Sequence, residues 1–150
     1  MTRKIIPDVV SGQDLSNLSK TDKVSTAAKL MADKHIAAVL VVDGGNLVGI
    51  VTERDMTAKV LAKGLDPDTT EIGTVMTPNP DTLAPDDRPA SALELMSSRG
   101  YRHLPVTEDG KPVGIVSIRD LSASVQERLE KDVKDRDAFI FGETYGSSHA

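Results

Sequence analysis

The chain of 150 residues contains no cysteine and no tryptophan. Without cysteine there is no disulfide, no thiolate nucleophile and no zinc–thiolate site. Its aromatic residues are only Tyr101, Phe139, Phe141 and Tyr145, three of them near the C-terminus, which leaves no platform for stacking bases. Long apolar runs are missing too. The longest, residues 36–42, has seven members, whereas a membrane helix needs about twenty. The N-terminus, Met1-Thr2-Arg3-Lys4-Ile5-Ile6-Pro7-Asp8, has no apolar stretch and no cleavage site, so no signal peptide is expected. Basic residues are the minority, 18 against 23 acidic ones, and the net charge of −5 argues against nucleic acid as a partner. His35, His103 and His149 are scattered, and no serine has a His/Asp partner at a suggestive spacing, so neither a metal site nor hydrolase chemistry is expected. What remains is 39% hydrophobic and 27% charged, a globular composition. A cytoplasmic protein away from membranes is the expectation.

The chain is an internal duplication. A shift of 65 residues lays residues 10–63 on residues 75–128 without a gap, with 16 identities in 54 positions. Gly49-Ile50-Val51-Thr52-Glu53-Arg54-Asp55 falls on Gly114-Ile115-Val116-Ser117-Ile118-Arg119-Asp120, and Leu30-Met31 falls on Leu95-Met96. Each half predicts the same elements. Asp22 and Asp87 stand where a helix begins and are expected to cap it, with Pro89 just inside the second. Ala27, Leu30 and Met31, and likewise Ala92, Leu95 and Met96, then keep helical spacing. Residues 36–42 and 47–52 form a hairpin about the turn Asp43-Gly44-Gly45-Asn46. Residues 101–107 and 112–117 repeat it about Glu108-Asp109-Gly110-Lys111. A helix follows each hairpin, from about 54 to 63 and from about 119 onward, and a short extended stretch precedes each half, near 12–18 and 77–83. A unit of about 55 residues is marginal alone, so the halves are expected to pack their sheets together and share one core. In the last helix Leu121, Val125, Leu129 and Val133 recur every four residues as an apolar stripe. That helix is expected to end at residues 135–137 and to be followed by a loose tail.

The twice-occurring Gly-Ile-Val-(Thr/Ser)-x-Arg-Asp, set in strand-helix-strand-strand-helix units, resembles the CBS domain, which occurs in pairs called Bateman modules. Met76-Thr77-Pro78 before the second unit and Arg102-His103-Leu104-Pro105-Val106 inside it also resemble the family. The resemblance implies a mixed α/β fold: two CBS domains, at 8–66 and 72–130, related by a pseudo-twofold axis with two clefts between them, and a remainder at 131–150. It also implies a regulatory role, in which an adenosine-containing ligand (AMP, ADP, ATP, NAD or S-adenosylmethionine) binds and the signal passes to an enzyme or transporter. The nucleotide is then a regulatory ligand and not a cofactor. Family members usually pair two modules into a homodimer, and the stripe on the last helix offers apolar surface for that.

The residues support such chemistry. Gly49 and Gly114 let a ligand or another backbone come close to a strand. Thr52 and Ser117 carry hydroxyls where the next helix offers unpaired N–H groups. Asp55 and Asp120 lie three residues on, and a carboxylate accepts hydrogen bonds from both ribose hydroxyls; the resemblance gives them that role. Arg54 and Arg119 carry forked donors for phosphate, Arg102 matches a phosphate-binding position of the family, and His103 adjoins it. Ile50 and Ile115, with the segments near Gly12 and Thr77-Pro78, would line the adenine pocket. The same motif also fits plain helix capping, with Thr52 and Ser117 as caps and Asp55 and Asp120 as first-turn carboxylates.

The repeats differ where it matters. Val10-Ser11-Gly12-Gln13 stands opposite Val75-Met76-Thr77-Pro78, and Ala37 stands opposite Arg102. The sequence therefore groups Thr77, Pro78, Arg102, Ser117 and Asp120 in one better-equipped cleft. It leaves Thr52, Arg54 and Asp55 in a poorer one, with Arg54 able to reach across the twofold. The leading expectation is a non-catalytic sensor of an adenosine-containing ligand; the alternative is a dimerisation module that binds no nucleotide.

Overall fold

The structure, a computed structural model, describes residues 2–144, with side chains through Arg136. The first repeat contains β1 (Asn17–Leu18), α1 (Val24–Lys34), β2 (Ala38–Asp43), β3 (Asn46–Thr52) and α2, an α-helical turn Glu53–Asp55 that widens into π-turns over Met56–Leu61. The second contains β4 (Thr77–Pro78), α3 (Pro89–Arg99), β5 (His103–Glu108), β6 (Lys111–Ser117) and α4 (Ile118–Thr144). The hairpins are copies down to their irregularities. Both carry a bulge at the same point, between Val41 and Val42 and between Val106 and Thr107. Both turn through two residues of positive φ, Gly44-Gly45 and Asp109-Gly110, the twist a two-residue hairpin requires. Helices α1 and α3 both end on a left-handed residue, His35 at φ 54° and Gly100 at φ 73°.

Several expectations are corrected. Asp22 and Asp87 do not cap the helices: the N-caps are Lys23 and Arg88, without a side-chain bond. Each aspartate instead turns back and accepts the amide of the residue three before it, Ser19 at 2.8 Å and Ala84 at 2.8 Å. Helix α4 does not stop at residues 135–137 but runs to Thr144; Asp135-Arg136-Asp137 contains no glycine or proline to end it. The loose tail expected after residue 137 is thus helical through Thr144, and its remainder, residues 145–150, lies outside the described residues.

The repeats do not share a single core. Ala27, Met31, Val39, Val41 and Val51 are buried beneath α1, and their counterparts Ala92, Met96, Leu104, Val106 and Val116 beneath α3. The cores are joined by a smaller seam where the hairpins meet, Ala38, Leu40 and Ile50 against Leu47 and Ile115, with Leu47 N–H donating to Gly110 O at 3.0 Å.

The repeats also exchange their leading segments. The stretch before the second repeat belongs physically to the first: Ile72 is fully buried in the first core, and β4 pairs antiparallel with β3, Ile50 opposite Thr77 and Gly49 opposite Pro78. The stretch before the first repeat belongs to the second: Ile5 is fully buried in the core beneath α3, and its N–H reaches Asp87 O at 2.9 Å. Gly49 shows what this exchange requires. A Cβ there would collide with Met76 Sδ and stand 3.1 Å from Thr77 O, so the glycine admits a backbone.

Candidate functional site

The exchange of leading segments redraws the site. The larger cleft, a cavity of about 530 Å³, is walled by the first repeat's Ile50, Thr52, Glu53, Arg54 and Asp55, by Thr77 of β4, and by the second repeat's Arg99, Tyr101, Arg102 and His103. The smaller cleft, of about 270 Å³, holds Ile115, Ser117 and Asp120 with Gln13, Ser16 and Lys34 from the first repeat, and again His103. A 65-residue shift carries Ile50, Thr52, Asp55, Arg99, Tyr101 and Arg102 onto Ile115, Ser117, Asp120, Lys34, Ile36 and Ala37. All twelve line their respective cavities. The clefts are therefore the two pseudo-twofold counterparts.

The sequence-based grouping is thus corrected. Thr77 and Arg102 do not join Ser117 and Asp120; they join Thr52, Arg54 and Asp55. The better-equipped cleft is the one built on the first repeat's motif. Pro78 and Arg119 line neither cavity: Pro78 is exposed on β4, and Arg119 points out from the start of α4. Tyr101, Arg99 and Gln13 were missed. Tyr101 carried a signal, being the one aromatic residue outside the C-terminal cluster. Arg99 and Gln13 carried none.

The ribose motif is engaged in capping in both repeats. Thr52 Oγ1 accepts the Asp55 N–H at 3.3 Å, while Asp55 Oδ2 accepts the Thr52 N–H at 2.9 Å and its hydroxyl at 3.2 Å. Ser117 Oγ accepts the Asp120 N–H at 3.0 Å, and Asp120 Oδ2 accepts the Ser117 N–H at 3.2 Å. This reciprocal pairing satisfies two orphan donors of each helix. The surroundings differ, however. Asp55 is 8% exposed and its Oδ1 is paired with Lys59 Nζ at 3.0 Å, while Lys59 also donates to Val75 O at 3.0 Å. Lys59 is replaced by Ser124 in the second copy, and Asp120 is exposed.

Charge separates the clefts further. In the larger one Arg99 is paired with Asp81 at 3.4 Å. Among the described residues the side chains of Arg54 and Arg102 have no hydrogen-bond or ion-pair partner, so two guanidiniums line a cavity whose remaining unpaired acid is Glu53. In the smaller cleft Lys34 is paired with Asp14 at 3.7 Å, Asp120 adds a second acid, and no arginine is present. His103 borders both cavities, and burial lowers its imidazole below the ordinary 6.5. Asp120 and Glu53 oppose that shift, and Arg102 adds to it.

Comparison with known proteins agrees with this architecture. The family model for the CBS domain matches twice, at residues 1–62 and 72–127. A protein with CBS domains from Burkholderia ambifaria MC40-6 has a similar structure, with 36% identity and a TM-score of 0.76 over 82% of this chain and 93% of that one. The CBS domain pair of protein MJ0100, solved in complex with 5′-methylthioadenosine and S-adenosyl-L-methionine, is similar at 29% identity and a TM-score of 0.71, covering 81% and 94%. CBS domain protein PAE2072 from Pyrobaculum aerophilum, solved with AMP, is similar at 25% identity and a TM-score of 0.67, covering 73% and 85%. The Arabidopsis thaliana CBS domain-containing protein CBSX3, mitochondrial, is 32% identical over 126 residues, 81% of this chain but 61% of that protein. The chain thus spans less than two thirds of that relative. No helix among the described residues is long and apolar enough to cross a membrane. Two matched copies covering most of the chain, folded as a pseudo-twofold pair, place the protein in the CBS domain family, as a tandem CBS pair.

Proposed function

We propose that the protein is a non-catalytic regulatory module whose larger cleft binds a phosphate-bearing, adenosine-containing ligand. The observation that carries this reading is the convergence of two repeats on one cavity: Arg54 and Arg102, whose guanidiniums have no partner among the described residues, together with Thr52, Asp55 and Tyr101. The guanidiniums suit phosphate oxygens, whose charge-assisted bonds are stronger than neutral ones. Asp55 keeps one lone pair, on Oδ1, for a ribose hydroxyl beyond those spent on Thr52 and Lys59. The ligands solved with PAE2072 and MJ0100 are of the same adenosine-containing class. The smaller cleft, without an arginine, is the weaker phosphate site.

In this reading the module acts as a homodimer in the cytoplasm and passes its ligand state to a partner enzyme or transporter. Leu129 and Val133, 59% and 52% exposed on α4, support self-association, since apolar helix faces are usually covered. A thermal-shift screen of AMP, ADP, ATP, NAD and S-adenosylmethionine, followed by titration calorimetry, tests the reading. Arg102→Ala should weaken nucleotide binding by about 1.5–3 kcal/mol, roughly tenfold or more, while Asp120→Ala leaves it within about twofold. Binding that survives Arg102→Ala and is lost in Asp120→Ala would assign the nucleotide to the other cleft.

A further inference from the structure

In the larger cleft, the edge of β3 is covered by main chain. Ile50 lies opposite Thr77, and Asn79 N–H donates to Val48 O at 3.0 Å. Among the described residues the corresponding edge of β6 has no such strand. There Ile115 N–H donates to Gln13 Oε1 at 2.9 Å, and Gln13 Nε2 donates back to Ile115 O at 3.0 Å. One side-chain amide thus satisfies the donor and the acceptor that a strand takes up in the other repeat.

We propose that the Gln13 carboxamide is a built-in competitor for a nucleobase: it occupies the base-reading edge of the smaller cleft until an adenosine derivative lacking a phosphate displaces it. The proposal rests on the reading of the module as an adenosine sensor and adds how its second cleft is gated and what it selects. A carboxamide presents one acceptor beside one donor. The amino edge of adenine presents the same pair, which is why glutamine and adenine recognise each other bidentately. Whatever bonds to Ile115 through such an edge takes Gln13's place atom for atom.

The surroundings fit a nucleoside. Ser117 lies two residues along β6 from Ile115, about 7 Å at strand rise, the span from a purine's amino edge to its ribose. Asp120, exposed, commits Oδ2 to the cap. Ser16 Oγ, at a residue lining this cavity, is buried and has no hydrogen-bond partner among the described residues. Gly114 keeps the edge open, since a Cβ there would stand 3.0 Å from Gln13 Oε1. Charge disfavours phosphate: Ala37 replaces Arg102, and Asp14 and Asp120 outnumber Lys34. The cleft therefore takes an uncharged or cationic adenosine derivative. Gln13 is exposed and its two bonds are to main chain at the surface; such bonds contribute little net free energy and exchange readily.

The test uses the full chain, isotope-labelled, with adenosine and AMP as separate probes. The Gln13 side-chain amide resonance is assigned by its loss in Gln13→Ala. Saturating adenosine should move that resonance. Gln13→Ala should bind adenosine about tenfold tighter than wild type, the loss of two weak competing bonds, and adding Asp120→Asn should abolish the gain. Arg102-dependent AMP binding should be the same in wild type and Gln13→Ala. An adenosine affinity in Gln13→Ala no greater than in wild type, with AMP binding still dependent on Arg102, overturns the gate and leaves the sensor reading standing. A tighter adenosine site in Gln13→Ala without any Arg102-dependent AMP binding supports the gate and removes the phosphate-site reading. A Gln13 resonance that stays fixed while adenosine saturates the Asp120 site also overturns the gate.

Discussion

Removing Asp55 should destabilise the protein far more than removing Asp120, although both hold the same place in the motif. In Asp55→Ala the Thr52 N–H loses the acceptor that stands 2.9 Å away in a half-buried setting. Leaving such a donor unmet costs about 1–3 kcal/mol. Lys59 loses its 3.0 Å ion pair, whose carboxylate side chain is 11% exposed, though it keeps Val75 O. Because the lysine is itself 44% exposed, that loss adds at most about 1 kcal/mol. The total is about 1–4 kcal/mol, with a midpoint of about 2.5 kcal/mol. At Asp120 the Ser117 N–H can turn to water and no lysine is involved, so the cost is that of an exposed cap, about 0.5–1 kcal/mol. For a chain of this length 1 kcal/mol shifts Tm by about 2–4 °C. Asp55→Ala should therefore lower Tm by about 5–10 °C and Asp120→Ala by about 1–4 °C, read by calorimetry without ligand. Asp55→Asn, which keeps an acceptor and loses the charge, should fall between them. Equal shifts in the two alanine variants, or a larger one in Asp120→Ala, would refute the argument that burial and Lys59 distinguish the copies.

Two further outcomes follow from the repeat and from His103. His35 holds the left-handed helix end at φ 54° that its counterpart fills with Gly100, so His35→Gly should stabilise the chain by about 1 kcal/mol, and denaturant titration showing no gain would contradict it. Burial keeps the folded His103 less basic than the unfolded 6.5; the unfolded chain takes up the proton first, so stability should be full above about pH 6.5 and fall as pH drops through it, and thermal melts between pH 7.5 and 5 should show a flatter profile for His103→Gln than for wild type.

Much of the fold was legible because the repeat is gapless. The 65-residue register located both hairpins, both helices beneath them and the core pairs Met31/Met96 and Val41/Val106, since burial of one copy implies burial of the other. Its limits are physical. Register reports which residues are equivalent, not which are adjacent, and β4 is only two residues long, too short for any periodicity to reveal its partner. Asp22 and Asp87 carry the residue type of an N-cap, but a short carboxylate can accept an amide on either side, and here it takes the upstream one. The widening of α2 into π-turns leaves no mark in composition. Register therefore names residues that line the two cavities, Pro78 and Arg119 excepted, but assigns Thr77 and Arg102 to the wrong one.

The wrong grouping traces to two features, the exchange of leading segments, which moves Thr77, and the walling of each cleft by both repeats, which sets Arg102 against the first repeat's motif; together they explain why the clefts have diverged. Each cleft combines one repeat's ribose motif with the other repeat's helix end and with its own leading segment. A substitution in one repeat therefore alters the opposite cleft. Arg102 and Tyr101 descend from the second copy but equip the cavity of the first. Ala37 and Ile36, their counterparts, leave the second cavity without a guanidinium or a phenol ring. The leading segments diverged in the same way: Thr77-Pro78 pairs as main chain with β3, whereas Gly12-Gln13 meets β6 through a side chain. Main-chain pairing reinforced by a fully buried Ile72 gives the larger cleft a fixed wall. A carboxamide held by two surface hydrogen bonds gives the smaller one a wall that can be exchanged. His103 borders both cavities, and Asp120 of the smaller and Glu53 of the larger act on its charge together. A ligand charge placed in either cleft therefore acts on the same imidazole, so the two sites meet at one titratable side chain.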